Sequence, residues 1–199
     1  MSLGFLGIEY QSVVVPYNDE KTPTDLIGKK MLPIMMLDGV AMGESLDIID
    51  KLDKNKLLNI LGVKTNVHFK EFEALLSEMG SLVHSLAMPF WIHSPEFNGE
   101  SRAYFQKKKE IKRGPFRELL KNQNQFMEKT IPLLESIEKR LSPFYESQSL
   151  TLKDIMLAAQ IWGLYSVPEF QFSVKLHHYL QTVKEKCHFI YHKPFWELI

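Results

Sequence analysis

Lys30-Met31-Leu32-Pro33-Ile34-Met35-Met36-Leu37-Asp38-Gly39-Val40-Ala41-Met42-Gly43-Glu44-Ser45-Leu46 is the stretch that decides the fold. Two short apolar runs flank Asp38-Gly39, residues that tolerate the positive φ of a two-residue turn, so the pattern predicts a hairpin of Pro33–Leu37 with Val40–Met42. Glu44-Ser45 then precedes Leu46, Ile48, Ile49 and Leu52, which share one face at helical spacing and predict a helix to about Leu52. Asp53-Lys54-Asn55-Lys56 reads as a polar connection.

Upstream, Val13-Val14-Val15 lies within Gln11–Pro16, and a β-branched run before the Asn18-Asp19-Glu20 turn reads as a buried parallel strand. Thr22-Pro23-Thr24-Asp25 opens a short helix that Gly28 ends. Downstream every strong pattern is helical. Val67, Phe69, Phe72, Leu75, Leu76, Met79, Leu82, Val83 and Leu86 trace one wide stripe over 66–87. Further helices are predicted over 101–112, over 115–141 with a kink at Pro132, and over 168–186. Thr151-Leu152-Lys153-Asp154 is a capping pattern in front of Ile155, Leu157, Ala158, Ile161 and Trp162. The change of pattern divides the chain into an α/β part over 1–53, a linker over 54–65 and an all-helical part over 66–199, an α+β chain.

The 199 residues carry 24 Lys and Arg against 24 Asp and Glu, so no net field favours nucleic acid or an anionic membrane. No apolar run reaches the ~20 residues that span a bilayer and no secretory signal opens the chain, so the expected compartment is the cytoplasm. Cys187 is the only cysteine, which leaves neither an intrachain disulfide nor a Cys-x-x-Cys pair.

Chemistry concentrates in the opening stretch. A proline at a strand entry can take a cis bond, which turns the backbone of Leu32 toward an extended ligand beside Pro33. At Glu44-Ser45 a turn enters a helix, so backbone N–H groups and the Ser45 hydroxyl can hold a carboxylate while Glu44 accepts an ammonium. A free α-amino acid terminus carries both charges. The bland readings are an ordinary strand entry and a simple helix cap.

No metal is expected, because Cys187, His188 and His192 lack a fourth ligand at finger-like spacing and His177 and His178 face apart on a helix. Arg102, Lys107, Lys108, Lys109, Lys112, Arg113 and Arg117 are interrupted by Glu110 and Glu118, so they read as a solvated face rather than a nucleic-acid site. Phe90, Trp91, Trp162, Phe195 and Trp196 read as core and tail packing.

Leu32-Pro33-Ile34 and Glu44-Ser45 resemble the glutathione site of the thioredoxin-fold superfamily that includes glutathione transferases and glutaredoxins. Thr22-Pro23-Thr24, Gly28-Lys29-Lys30, Glu44 to Ile49 and Lys51-Leu52-Asp53 are similar to the two-domain glutaredoxin 2 family. Tyr104-Phe105, Lys107-Lys108-Lys109-Glu110, Gly114, Phe116 and Leu119-Leu120 resemble its helical domain.

The resemblance implies a thioredoxin-like domain over 1–53 followed by a glutathione-transferase-like helical domain, with Leu32, Pro33, Glu44 and Ser45 contacting glutathione. That family opens with a strand and a helix carrying Cys-Pro-Tyr-Cys, and Phe5-Leu6-Gly7-Ile8 resembles only the tail of that helix. No catalytic residue is therefore expected in this chain, whose sheet is expected to lack its first strand. The implied activity is glutathione-dependent disulfide oxidoreduction on glutathionylated or disulfide-bonded proteins, carried by a longer product. The alternative is a non-enzymatic glutathione-binding or interaction protein of the transferase superfamily. The missing strand predicts closure of the gap by rearrangement or by a second copy, that is, a homo-oligomer through the incomplete sheet.

Overall fold

A computed structural model describes residues 1–189. The expected tail packing of Phe195 and Trp196, and His192 of the rejected zinc group, lie outside the described residues. Chain order is α1 (Ser2–Phe5), α2 (Lys21–Ile27), β1 (Met35–Leu37), β2 (Val40–Met42), α3 (Ser45–Leu52), α4 (Ile60–Thr65), α5 (Phe69–Trp91), α6 (Gly99–Arg113), α7 (Phe116–Lys121), α8 (Gln123–Lys139), α9 (Leu152–Ile161), a 3-10 turn (Trp162–Ser166) and α10 (Val174–Lys186). The architecture is α+β, a small thioredoxin-like part joined to a mostly helical, glutathione-transferase-like part.

The hairpin forms about Asp38-Gly39 as expected, with β1 beginning at Met35 rather than at Pro33. Asp38 and Gly39 both take positive φ, 50° and 80°, and Met35, Met36 and Leu37 pair antiparallel with Met42, Ala41 and Val40. The strand expected at Gln11–Val15 does not form: the described sheet has two strands, and Val13 and Val14 are 76% and 64% exposed. A β-branched run becomes a strand only where a neighbour supplies a ladder and a surface to cover it. Among the described residues the gap is not closed by another strand either, and the 11–15 segment stays at the surface. Its backbone groups can bond water there and incur no burial cost.

Local signals explain several of the helix ends. Asp19 caps α2, accepting from the Thr22 N–H (2.9 Å) and hydroxyl (2.6 Å), while Gly28 (φ 75°) ends it. Asn98 caps α6 through the Ser101 N–H, and Ser173 caps α10 through the Leu176 N–H, so α10 starts later than the expected Pro168. The long helix expected over 115–141 is two helices, α7 and α8, because Asn122 sits between them and its side chain bonds the Glu118 carbonyl. Pro132 lies inside α8 without ending it.

The core sits among α5, α8, α9 and α10, with Met79, Val83, Ile137, Leu157, Ile161, Leu180 and Val183 sealed from solvent. A second cluster joins Met88, Ile92, Phe105, Phe116 and Leu119, and Tyr17 of the α/β part packs against it. Within the stretch read as a linker, α4 forms and Leu58 and Ile60 are buried. Buried Asp53 anchors this connection by accepting from the N–H groups of Leu57 (2.8 Å) and Leu58 (2.7 Å).

Candidate functional site

The entry to β1 and the start of α3 come together at the edge of the helical part. The Leu32–Pro33 bond is cis, and Leu32 is 54% exposed. Glu44 leads into α3 with φ 65°, and its carboxylate pairs with the Lys29 ammonium at 3.0 Å. Ser45 is the first residue of α3, where backbone N–H groups lack partners within the helix and face any nearby acceptor.

Pro33 and Ser45 share the wall of a cavity of about 600 Å³ between the two parts of the chain. Leu46 and Ile49 of α3 continue the lining, as do Met1 and Ser2, together with Trp91, Leu152, Ile155, Met156 and Trp162 of the helical part. Leu32 and Glu44 are not among the lining residues. The lining is mainly apolar, so a ligand there is held by its polar groups at the hairpin end and by contact along the helical wall. Gly163 permits the close approach on the far side, since a Cβ there would stand 2.7 Å from Trp91 Cζ2 and 2.8 Å from Val83 Cγ1.

Behind Trp91 lies a basic group. His84 meets the Trp91 ring edge-on at 5.5 Å, and Arg113 Nη2 is 3.3 Å from His84 Nδ1. Burial, then the nearby charges of Arg113, Lys109 and Lys112, hold the His84 pKa down at about 4. The imidazole is therefore neutral near pH 7, with Nδ1 accepting from the guanidinium.

Cys187 cannot serve as an exchange nucleophile as placed. It is buried at the end of α10, and burial pushes its thiol up to about 11. Gly4 of α1 packs against it so tightly that a Cβ would overlap the Cys187 carbonyl oxygen.

Thr151 and Asp154 form a reciprocal capping box at α9. Asp154 Oδ2 accepts from the Thr151 N–H (2.8 Å) and hydroxyl (2.7 Å), and Oδ1 accepts from the Tyr145 N–H (2.7 Å) and the Tyr179 hydroxyl (2.9 Å). This fully buried carboxylate ties α9 to α10 and to the preceding loop. Among the described residues no group of three or more His, Cys, Asp or Glu is placed to hold a metal ion.

Residue patterns alone did not reveal Lys29 as the Glu44 partner, nor that Trp91 and Trp162 form a cavity wall as well as core. Lys29 stands 15 residues from Glu44 and meets it only because the hairpin folds back.

The comparisons extend along both parts. Residues 1–58 match the family described as glutathione S-transferase, N-terminal domain, and residues 71–190 match glutaredoxin 2, C-terminal domain. Glutaredoxin 2 of Escherichia coli strain K12 is 30% identical over 165 residues, covering 79% of this chain and 74% of that protein. The same figures hold for glutaredoxin 2 of Escherichia coli O157:H7. A crystal structure of glutaredoxin 2 from Salmonella typhimurium in complex with glutathione matches at a TM-score of 0.81 and 26% identity, over 94% of this chain and 87% of that one.

Proposed function

The chain belongs to the glutaredoxin 2 family, and on that premise we propose that it binds glutathione where the hairpin end of the interdomain cavity meets α3. The observation that carries this reading is the meeting of Pro33 and Ser45 on one cavity wall. The glutathione complex of the Salmonella typhimurium relative supports it.

In this reading the Leu32 backbone pairs with the extended tripeptide. The Ser45 hydroxyl and the first N–H groups of α3 hold the γ-glutamyl carboxylate, where the helix dipole favours negative charge. Glu44 receives the ammonium, exchanging part of its contact with Lys29 for it.

The family's chemistry is attack of a thiolate on a disulfide sulfur, with glutathione resolving the mixed disulfide. Glutathionylated or disulfide-bonded proteins are the partners that chemistry implies. Within this sequence the step has no thiolate to begin from, because the single cysteine is buried with a raised pKa. That observation favours binding without turnover as the activity of the chain itself.

A titration of the ¹⁵N-labelled protein with reduced glutathione tests the binding. Shifts are expected at the Leu32 and Ser45 amides, and Ser45→Ala should weaken binding about tenfold through loss of a bond to a charged group. Absence of shifts at both amides overturns the reading. A coupled glutathione-reductase assay on a glutathione mixed disulfide should give only the uncatalysed rate, unchanged in Cys187→Ser.

A further inference from the structure

Away from the cavity, the α/β part grips helix α6 through a compact cluster of charge and aromatic rings. Tyr17 meets the Phe105 ring edge-on at 4.7 Å and the Tyr104 ring at 6.1 Å. The Lys30 ammonium sits over both tyrosine rings, 4.9 Å from the Tyr17 centroid and 4.4 Å from that of Tyr104. It donates to Glu20 Oε1 (3.1 Å) and to the Tyr104 oxygen (3.3 Å), while the Tyr104 hydroxyl donates to Glu20. Glu20, Lys30 and Tyr104 thus close a triangle in which each group touches the other two, and Lys108 adds a second cation 3.7 Å from Glu20.

The electrostatics agree with the geometry. Burial works against the Lys30 charge, yet the bonds from Glu20 and Tyr104 outweigh it and its pKa is raised. The Tyr104 hydrogen bond, then Lys30, lowers that of Glu20.

The triangle lies next to the ligand-facing segment in the chain. Lys29, the neighbour of Lys30, pairs with Glu44, and three residues beyond Lys30 stands Pro33 on the cavity wall. A residue of α6 therefore fixes one end of the segment whose other end lines the site. We propose that Tyr104 is a positioning residue: with Glu20 it clamps Lys30, and through Lys30 it holds the Lys29–Pro33 segment against the helical part in the geometry that receives the ligand. The ligand half rests on the glutathione reading; the clamp itself does not.

Two variants and two readouts test it. Tyr104→Phe keeps the ring under Lys30 and loses the hydroxyl bonds, whereas Tyr104→Ala loses both. In Tyr104→Ala, amide hydrogen exchange over residues 29–34 should quicken about two- to fivefold, the factor that one exposed cation–π contact supplies, with α8, α9 and α10 unchanged. Glutathione affinity should fall by about the same factor. Tyr104→Phe should give a smaller change in both, because it loses the hydroxyl's bonds to Glu20 and Lys30 but keeps the ring beneath the ammonium. A merely structural role would instead speed exchange throughout α6 and the helical core and lower the melting temperature, and that result overturns the proposal. So does unchanged exchange over 29–34 in Tyr104→Ala. If the unmodified protein shows no glutathione shift, the proposed function fails and the ligand half with it, while exchange alone then decides the clamp. Normal affinity beside quickened exchange overturns the positioning role.

Discussion

Residues 1–53 and the helices from α5 to α10 solve the problem of burial differently. In the first stretch only Pro23, Ile48 and Asp53 are buried, and the sheet is a hairpin of two three-residue strands. In the second, α5 alone buries eleven residues, Met79 and Val83 among them with no exposed surface. A two-stranded hairpin is marginal in water by itself, so the α/β part holds its shape by leaning on the helices. Leu46 and Ile49 lean on the main core and Tyr17 on the second cluster. Most of the buried surface belongs to the helical part, while the α/β part carries the polar groups of the candidate site. Such a division leaves the site sensitive to docking contacts that barely register in global stability.

The contrast is tested most severely at the centre of the helical core. Ile161→Ala, at a site with no exposed surface, should cost about 2–5 kcal/mol by urea denaturation. A cost below about 1 kcal/mol would mean that the core does not carry the fold.

Next comes the buried carboxylate. Asp154→Ala strips the acceptor from the Tyr145 N–H and the Tyr179 hydroxyl, each buried orphan costing about 1–3 kcal/mol, for a total of about 2–6 kcal/mol. Thr151→Ala, which removes only the cap, should cost about 1 kcal/mol. Equal losses would show that Asp154 is a cap and nothing more.

Acid should weaken the helical half through His84. Its folded pKa, about 4, lies below the ordinary value of 6.5, so the unfolded chain binds the proton more readily. The stabilisation is complete above pH 6.5 and is lost as pH falls toward 4, about 1–2 kcal/mol once solvent screening of this half-exposed group is allowed for. Denaturation midpoints at about pH 7 and about pH 4.5 should differ less in His84→Gln than in the unmodified protein. An identical slope in both would assign the acid sensitivity elsewhere.

The smallest effect is expected at the exposed run. Val14→Ala should change stability by less than about 0.5 kcal/mol, as at any surface site that packs against nothing. A loss above about 1 kcal/mol would indicate that this segment is covered in solution, by a second copy of the chain or otherwise.

The legible features of the chain were those decided between near neighbours. Asp38-Gly39 specifies its turn because two adjacent residues must take positive φ, and Thr151 and Asp154 stand three apart, where one turn of helix brings a side chain back to a backbone N–H. The apolar stripe of α5 likewise follows from a period that one segment contains. The misread strand needed a distant partner: Val13-Val14-Val15 has the composition of a strand without a ladder to join. Asn122 divides a helix through a local bond to the Glu118 carbonyl, which apolar periodicity does not register.

The same divide runs through the site. Leu32, Pro33, Glu44 and Ser45 were marked by sequence through a proline ahead of a strand, a turn into a helix and the resemblance those motifs carry. That Pro33 and Ser45 face one cavity while Leu32 and Glu44 do not, that Lys29 pairs with Glu44, and that Tyr104 grips Lys30 from 74 residues away were decided by tertiary packing. Backbone hydrogen bonds and caps act within a turn of the chain and are written in it. Contacts across a cavity depend on how two parts dock, and no spacing along one stretch of sequence encodes that distance.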